Sequence, residues 1–265
     1  MTEPIRLWSV TSLIKLGLGT SDALVNWAVK TTAEYAVDQQ TAWAPLAASD
    51  RDAAVKVLTD ARWTSSKKAA ARGTDIHKAA EQIALGVTPE IADDVLPFVE
   101  QYQRFLETFQ PVFLMAEAPV YSPTYGYAGT SDGVMEIDGR TVIFDLKTTA
   151  HHPDSGKSRP PFGEVALQLC AYSRAEQVGV MSEMRYAAGK RYYLYDPDAQ
   201  HEQMPKVDGA LCIVVSPFDV MAVPVRIDDQ VWRSFRHVME AARWQIETSR
   251  NVFGPPITAK QEAVA

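Results

Sequence analysis

The chain has 265 residues, 26 Lys and Arg against 33 Asp and Glu, a formal net charge of −7 and 46% apolar residues. That balance excludes a disordered chain, and with no run of about 18 apolar residues it excludes a membrane-spanning helix. Two cysteines, Cys170 and Cys212, cannot build a disulfide framework or a four-cysteine metal site, and without a secretory signal in Met1–Ser9 the expected compartment is the cytoplasm.

Ser21 caps a helix running to Gln39, in which Leu24, Trp27, Ala28, Thr31 and Tyr35 recur at helical spacing. Further helices are expected over Asp50–Arg62, over Ser66–Leu85 where Gly86 stops it, and over Ile91–Phe109, which ends before Pro111. Residues 1–110 are therefore expected to be mainly helical. From Val112 the apolar period drops to two, which predicts strands over Val112–Ala118, Gly129–Ile137 and Thr141–Thr148, the last two joined by an Asp138-Gly139 turn. A polar loop spans His151–Phe162, and a helix is expected over Glu164–Val178. Strands follow over Tyr192–Tyr195, Ala210–Ser216 and Val220–Ile227, then a helix over Asp228–Ser249 and a tail over 251–265. The order predicts a single α/β domain: a mixed central sheet flanked by helices, with residues 111–250 as its core.

The hairpin carries the most chemistry. With a two-residue turn, Ile137 faces Arg140, and counting back along both strands places Asp132 opposite Asp145. Opposed side chains have Cβ atoms ~5 Å apart, where two carboxylates at an effective dielectric of ~20 repel by on the order of 3 kcal/mol. A divalent cation between them relieves this, and carboxylate oxygens suit Mg²⁺ or Mn²⁺. Lys147 shares a face with Asp145, where it can orient or deprotonate an attacking water. A surface salt bridge is the bland reading of an isolated Asp-x-Lys, so two helical groups matter. His77 and Glu81, in Gly73-Thr74-Asp75-Ile76-His77-Lys78-Ala79-Ala80-Glu81, project from one helical face; Glu164, Gln168 and Tyr172 form a polar stripe after the hairpin.

The ordered set Gly73-Thr74-x-x-His77-x-x-x-Glu81, Gly129-x-x-Asp132, Asp145-x-Lys147 and Gln168-x-x-x-Tyr172 resembles the RecB-like branch of the PD-(D/E)XK nucleases. It is most similar to phage-encoded exonucleases related to the CRISPR-associated nucleases that carry an iron–sulfur cluster. The resemblance implies a PD-(D/E)XK core and a metal site of His77, Asp132, Asp145 and the Leu146 main-chain carbonyl, with Glu81 or Glu117 as a further carboxylate. It also implies that Lys147 is catalytic and that Gln168 and Tyr172 support the site. The cluster-bearing relatives use four cysteines and this chain has two, so no iron–sulfur cluster is expected. Glu117 reads equally as an ordinary edge-strand glutamate.

The acidic balance argues against a nucleic-acid partner overall, but phosphate contacts need only local cations. Lys67, Lys68 and Arg72 lie just before His77, and Lys157 and Arg159 lie in the loop after the Asp145 strand. Nothing in the sequence reads bases. The expected function is a Mg²⁺- or Mn²⁺-dependent deoxyribonuclease, an exonuclease of phage DNA replication or recombination. The alternatives are a junction-resolvase-like, structure-selective endonuclease, a catalytically silent nuclease fold that binds DNA, and a metalloprotein that cuts nothing.

Overall fold

In the computed structural model, which describes residues 2–155, 161–187 and 189–256, the chain begins with a strand that the helical pattern hides. β1 (Ile5–Ser9) leads directly into α1 (Val10–Leu18). α2 (Asp22–Asp38) starts where Ser21 accepts a hydrogen bond from the Leu24 amide. α3 (Gln40–Ser49) tolerates Pro45 inside its ten residues.

The two helices expected over Asp50–Arg62 and Ser66–Leu85 are one. α4 (Arg51–Ala84) is a single helix of 34 residues, opened by Asp50, whose carboxylate accepts from the Ala53 amide. Trp63, Thr64, Ser65 and Ser66 are neither proline nor glycine, so nothing in that stretch removes a backbone donor, and the cost of their middling propensities is small. α5 (Leu96–Phe109) starts five residues later than the periodicity suggests, with Pro97 in its first turn, where the missing N–H costs nothing.

β2 (Val112–Ser122), β3 (Tyr127–Ile137) and β4 (Arg140–Thr148) follow. After them come α6 (Gly163–Ser173), shorter than expected, and the strands β5 (Gln177–Gly179), β6 (Glu183–Ala187), β7 (Lys190–Tyr195) and β8 (His201–Gln203). β9 (Gly209–Val215), β10 (Val220–Val225) and α7 (Asp229–Arg243) complete the described chain, α7 being capped by Asp228 and continued by a π turn over Trp244–Thr248.

The strands form a mixed sheet in the order β10-β9-β4-β3-β1-β7-β6, with β2 on the other side of β3 and β5 and β8 beyond it. Asp138 and Gly139 both take positive φ (50° and 72°), and the hairpin has the expected register from Ile137–Arg140 to Gly133–Phe144. Beyond Phe144 the edge of β4 no longer pairs with β3. β4 runs on parallel to β9, and β1 takes up β3 again at Tyr127 and Ala128.

Helices cover both faces. α1, α6 and α7 pack on Val134, Ile143, Cys212 and Val214, while α4 and α5 cover Met135, Phe144, Leu146 and Ile213 with Ile76, Phe98, Tyr102 and Phe105. α2 and α3 bury no residue fully and pack on α4. No helix among the described residues is long and apolar enough to cross a membrane.

α4 meets the sheet at Gly73, where an added Cβ would lie 3.6 Å from Thr148 Oγ1, an ordinary contact. Glycine inside a helix costs roughly 0.5–1 kcal/mol relative to alanine. Gly73→Ala is therefore expected to raise the melting temperature by about 1–4 °C, measured by calorimetry. A fall would show that this helix–strand contact is tighter than its geometry.

Candidate metal centre

The site lies where β3 and β4 part. Once Leu146 has left the β3 ladder, its amide needs another acceptor, and Asp132 supplies one: Oδ2 accepts from Leu146 N–H at 2.6 Å. Asp132 and Asp145 are thus one position past the last ladder pair, Gly133–Phe144, instead of directly paired, because a side-chain hydrogen bond replaces the backbone one.

The neighbouring strand brings a second carboxylate. β2 pairs with β3 so that Ala116 faces Gly133 and Ala118 faces Ser131, which places Glu117 beside Asp132. Glu117 has φ +44°, a left-handed conformation that costs a non-glycine residue about 1–2 kcal/mol and is held only where the surroundings impose it. From the helical layer, His77 Nδ1 lies 3.6 Å from both Glu117 Oε1 and Asp132 Oδ2. The ligand atoms of His77, Glu117 and Asp132 all lie within 4.8 Å of one another, separations that one ion can bridge with bonds of about 2.0–2.6 Å. They line a cavity of about 10 Å³, room for one ion or water, together with Glu81, Tyr102, Phe144 and Leu146.

Asp145 stands outside that trio and is 2% exposed. Lys147 Nζ donates to its Oδ1 at 2.7 Å and sits 2.6 Å from Oδ2, but off hydrogen-bond alignment, so buried Oδ2 has no hydrogen-bond partner. A buried carboxylate oxygen that takes no aligned hydrogen bond, beside two further carboxylates and an imidazole, gives a donor set suited to a hard divalent cation, with the nitrogen favouring Mn²⁺. These residues fit the expected ion.

The charges reinforce one another. Burial pushes the Asp132 carboxyl up to about 7; the Asp145 charge adds to the rise, while His77, Lys147 and the Leu146 amide oppose it. Burial works to lower His77, but Glu117 and Asp132 outweigh it and leave the imidazole above its ordinary value. Burial likewise works to lower Lys147, and Asp145 and Asp132 override it, so the ammonium stays protonated at neutral pH. In this arrangement Lys147 is a cation and not a base.

Of the other residues the sequence singles out, Tyr172 is buried and not part of an exposed polar stripe. Its ring packs on β3 where a Cβ at Gly129 would come within 2.5 Å, and its hydroxyl lies 3.5 Å from Gln168 Nε2. Glu164, by contrast, is exposed. Lys67 and Lys68 are exposed, whereas Arg72 is partly buried with its guanidinium 5.0 Å from the Phe98 ring. Lys157 and Arg159 lie outside the described residues. Glu117 is identified by the β2–β3 register, a signal that no local sequence pattern carries.

No protein-family model and no curated protein matches the chain. Among solved structures, one titled "Crystal structure of SSO0001" is similar over 91% of this chain and 76% of its own, at 10% identity and a TM-score of 0.34, a likeness that carries no argument.

A carboxyl raised in the folded state binds its proton more tightly there than when unfolded, so its contribution to stability is present at low pH and lost as pH climbs from about 4 to 7; a raised His77 loses its own above the ordinary histidine value. The metal-free protein is expected to melt lower at pH 8 than at pH 5. Mn²⁺, which needs Asp132 ionised and His77 neutral, is expected to restore stability more at pH 8. Asp132→Asn keeps an acceptor for Leu146 and should flatten the profile. Thermal melts across pH, with and without Mn²⁺, check all three, and a metal-free protein that gains stability toward pH 8 contradicts the assignment.

Proposed function

We propose that the protein is a divalent-metal-dependent nuclease that hydrolyses DNA phosphodiester bonds from a PD-(D/E)XK-type core. The observation that carries this reading is the meeting of His77, Glu117 and Asp132 beside the Asp145–Lys147 pair at the divergence of β3 and β4. Of the motif residues, His77, Glu81 and Asp132 line one cavity beside Asp145 and Lys147, and Tyr172, with Gln168 next to it, packs on Gly129 of β3, which supports this reading.

His77, Glu117 and Asp132 would hold the ion, with Asp145 Oδ2, which takes no aligned hydrogen bond, as a further oxygen. The ion would act as a Lewis acid on the phosphate and lower the pKa of the attacking water. Asp145 fixes the Lys147 ammonium, which offers its N–H groups and charge to the phosphate oxygens as negative charge builds in the transition state. Burial of Asp145 among apolar neighbours keeps the local dielectric low and strengthens each of these interactions.

End-labelled linear DNA incubated with Mn²⁺, Mg²⁺ or EDTA is the direct test. Cleavage is expected with either cation and none with EDTA; a ladder shortening from one end marks an exonuclease, and cutting of closed circular DNA marks an endonuclease. Undiminished cleavage in EDTA, or none under any condition, overturns the reading.

Two variants separate the roles. Lys147→Ala is expected to lower the rate by a factor of 10² or more while leaving Mn²⁺ affinity within a few-fold, since it holds no ligand. Asp145→Asn should lose activity and also weaken Mn²⁺ binding, read by titration calorimetry. Loss of metal affinity in Lys147→Ala equal to its loss of rate would contradict the division.

A further inference from the structure

The continuity of α4 sets up a relation that a divided helix does not have. Trp63 and His77 lie fourteen residues apart in one helix, close to four full turns, so they share a face at a separation of roughly 21 Å. Lys67, Ala70 and Thr74 fall within about 40° of Trp63 around the same axis, and all three are exposed. One open face therefore runs from Trp63 to the metal-binding trio. Toward the His77 end the helix lies on the sheet, burying Ile76, Ala79 and Ala80; its N-terminal half packs on α2 and α3 instead.

The chemistry along this face is uneven. In a chain of net charge −7, the stretch from Arg62 to Arg72 has Arg62, Lys67, Lys68 and Arg72 and no carboxylate. The indole of Trp63 is 50% exposed, with the Arg62 guanidinium 4.8 Å from the ring centre. Arg62 Nε has no hydrogen-bond partner, so the ring holds this cation and no carboxylate does through that nitrogen. The nearest acid in sequence, Asp60, is held by Lys56 at 2.7 Å and also feels the charges of Lys67 and Arg62, so it offsets part of this basic stretch. Between Lys68 and Arg72 the surface is alanine, exposed at 69, 70 and 71, which lets a chain approach the helix closely.

We infer that this face of α4 is a track for an unpaired DNA strand, on which Trp63 stacks one base and Lys67 counters the phosphates between that base and the metal-binding trio. The inference rests on the nuclease reading of the trio. An indole on the side of a helix presents a π surface that takes any base, and only an unpaired strand has a base face to offer, because a duplex has already stacked its own. At the 3.4 Å stacked rise per nucleotide, 21 Å corresponds to about six nucleotides. Trp63 is thus a positioning residue: it touches no reacting atom and acts through the length of strand that reaches it.

The test measures anisotropy of labelled dT4 and dT12 in Ca²⁺, an oxygen-seeking cation that neutralises the carboxylates at the trio, with the full chain and two variants, Trp63→Ala and Trp63→Phe. Trp63→Ala is expected to bind dT12 about tenfold more weakly and dT4 as the wild type does; Trp63→Phe should stay within about threefold on both. Melting temperature and Mn²⁺ affinity should be unchanged in either variant. Equal loss on both lengths, or wild-type binding of dT12 by Trp63→Ala, overturns the inference. So does loss of a dimer in sedimentation with dT12 affinity intact, which would make the face a contact between copies. Cleavage in Mn²⁺ distinguishes this inference from the reading beneath it: dT12 bound through Trp63 while neither it nor linear or circular duplex DNA is cut keeps the track and removes the nuclease, and dT12 cut with no dependence on Trp63 does the reverse.

Discussion

Glu117, Asp132 and Asp145 are drawn together at one end of the sheet, with one lysine and one histidine as their compensating cations. Lys147 is committed to Asp145, so the remaining two carboxylates face a single imidazole across gaps of 3.6 Å. In a partly dry pocket this surplus of negative charge is costly, and the protein meets it by raising the Asp132 and His77 affinities for protons. A divalent cation would meet it more completely. The left-handed backbone at Glu117 and the Asp145 oxygen that takes no aligned hydrogen bond lie in this same cluster.

What brings the charges together is a disagreement between neighbouring strands. β3 is paired with β4 at one end and with β1 at the other, and between the two it has no full ladder on that edge. A freed amide at Leu146 must be satisfied, and the Asp132 side chain does so while keeping its carboxylate next to His77. The same hydrogen bond thus completes the sheet and orients a ligand. β9 keeps β4 straight through this region by pairing with it from Val142 to Thr148, so Asp145 and Lys147 retain regular alternation and stay on one face.

α4 couples this chemistry to the rest of the helical part. Its C-terminal half is nailed to the sheet by Ile76, Ala79 and Ala80, which fixes the height and rotation of His77. Its N-terminal half leaves the sheet and is braced by α2 and α3. Because a helix transmits rotation along its whole length, the packing under Ile76 also decides where Trp63 points. The helical part and the metal-binding trio are in this sense one construction.

The sequence by itself determined whatever depends on neighbours a few residues apart. Asp138-Gly139 dictated a tight turn, and the turn dictated the hairpin register; alternation put Asp145 with Lys147, and the four-residue spacing put His77 with Glu81. Ser21 and Asp228 marked their helix starts for the same reason, since a cap acts on amides two or three positions away. The tertiary structure alone decided the rest. β1 is a five-residue strand whose partners, β3 and β7, lie more than a hundred residues away, so no local period reveals it. α4 runs unbroken through positions 63–66, whose weak propensities gave the sequence pattern a false boundary, and Glu117 joins the site only through a β2 register that slips at a bulge between Phe113 and Met115. Local rules fix what a segment is; which segments meet depends on burial and on backbone groups that find partners only across the fold.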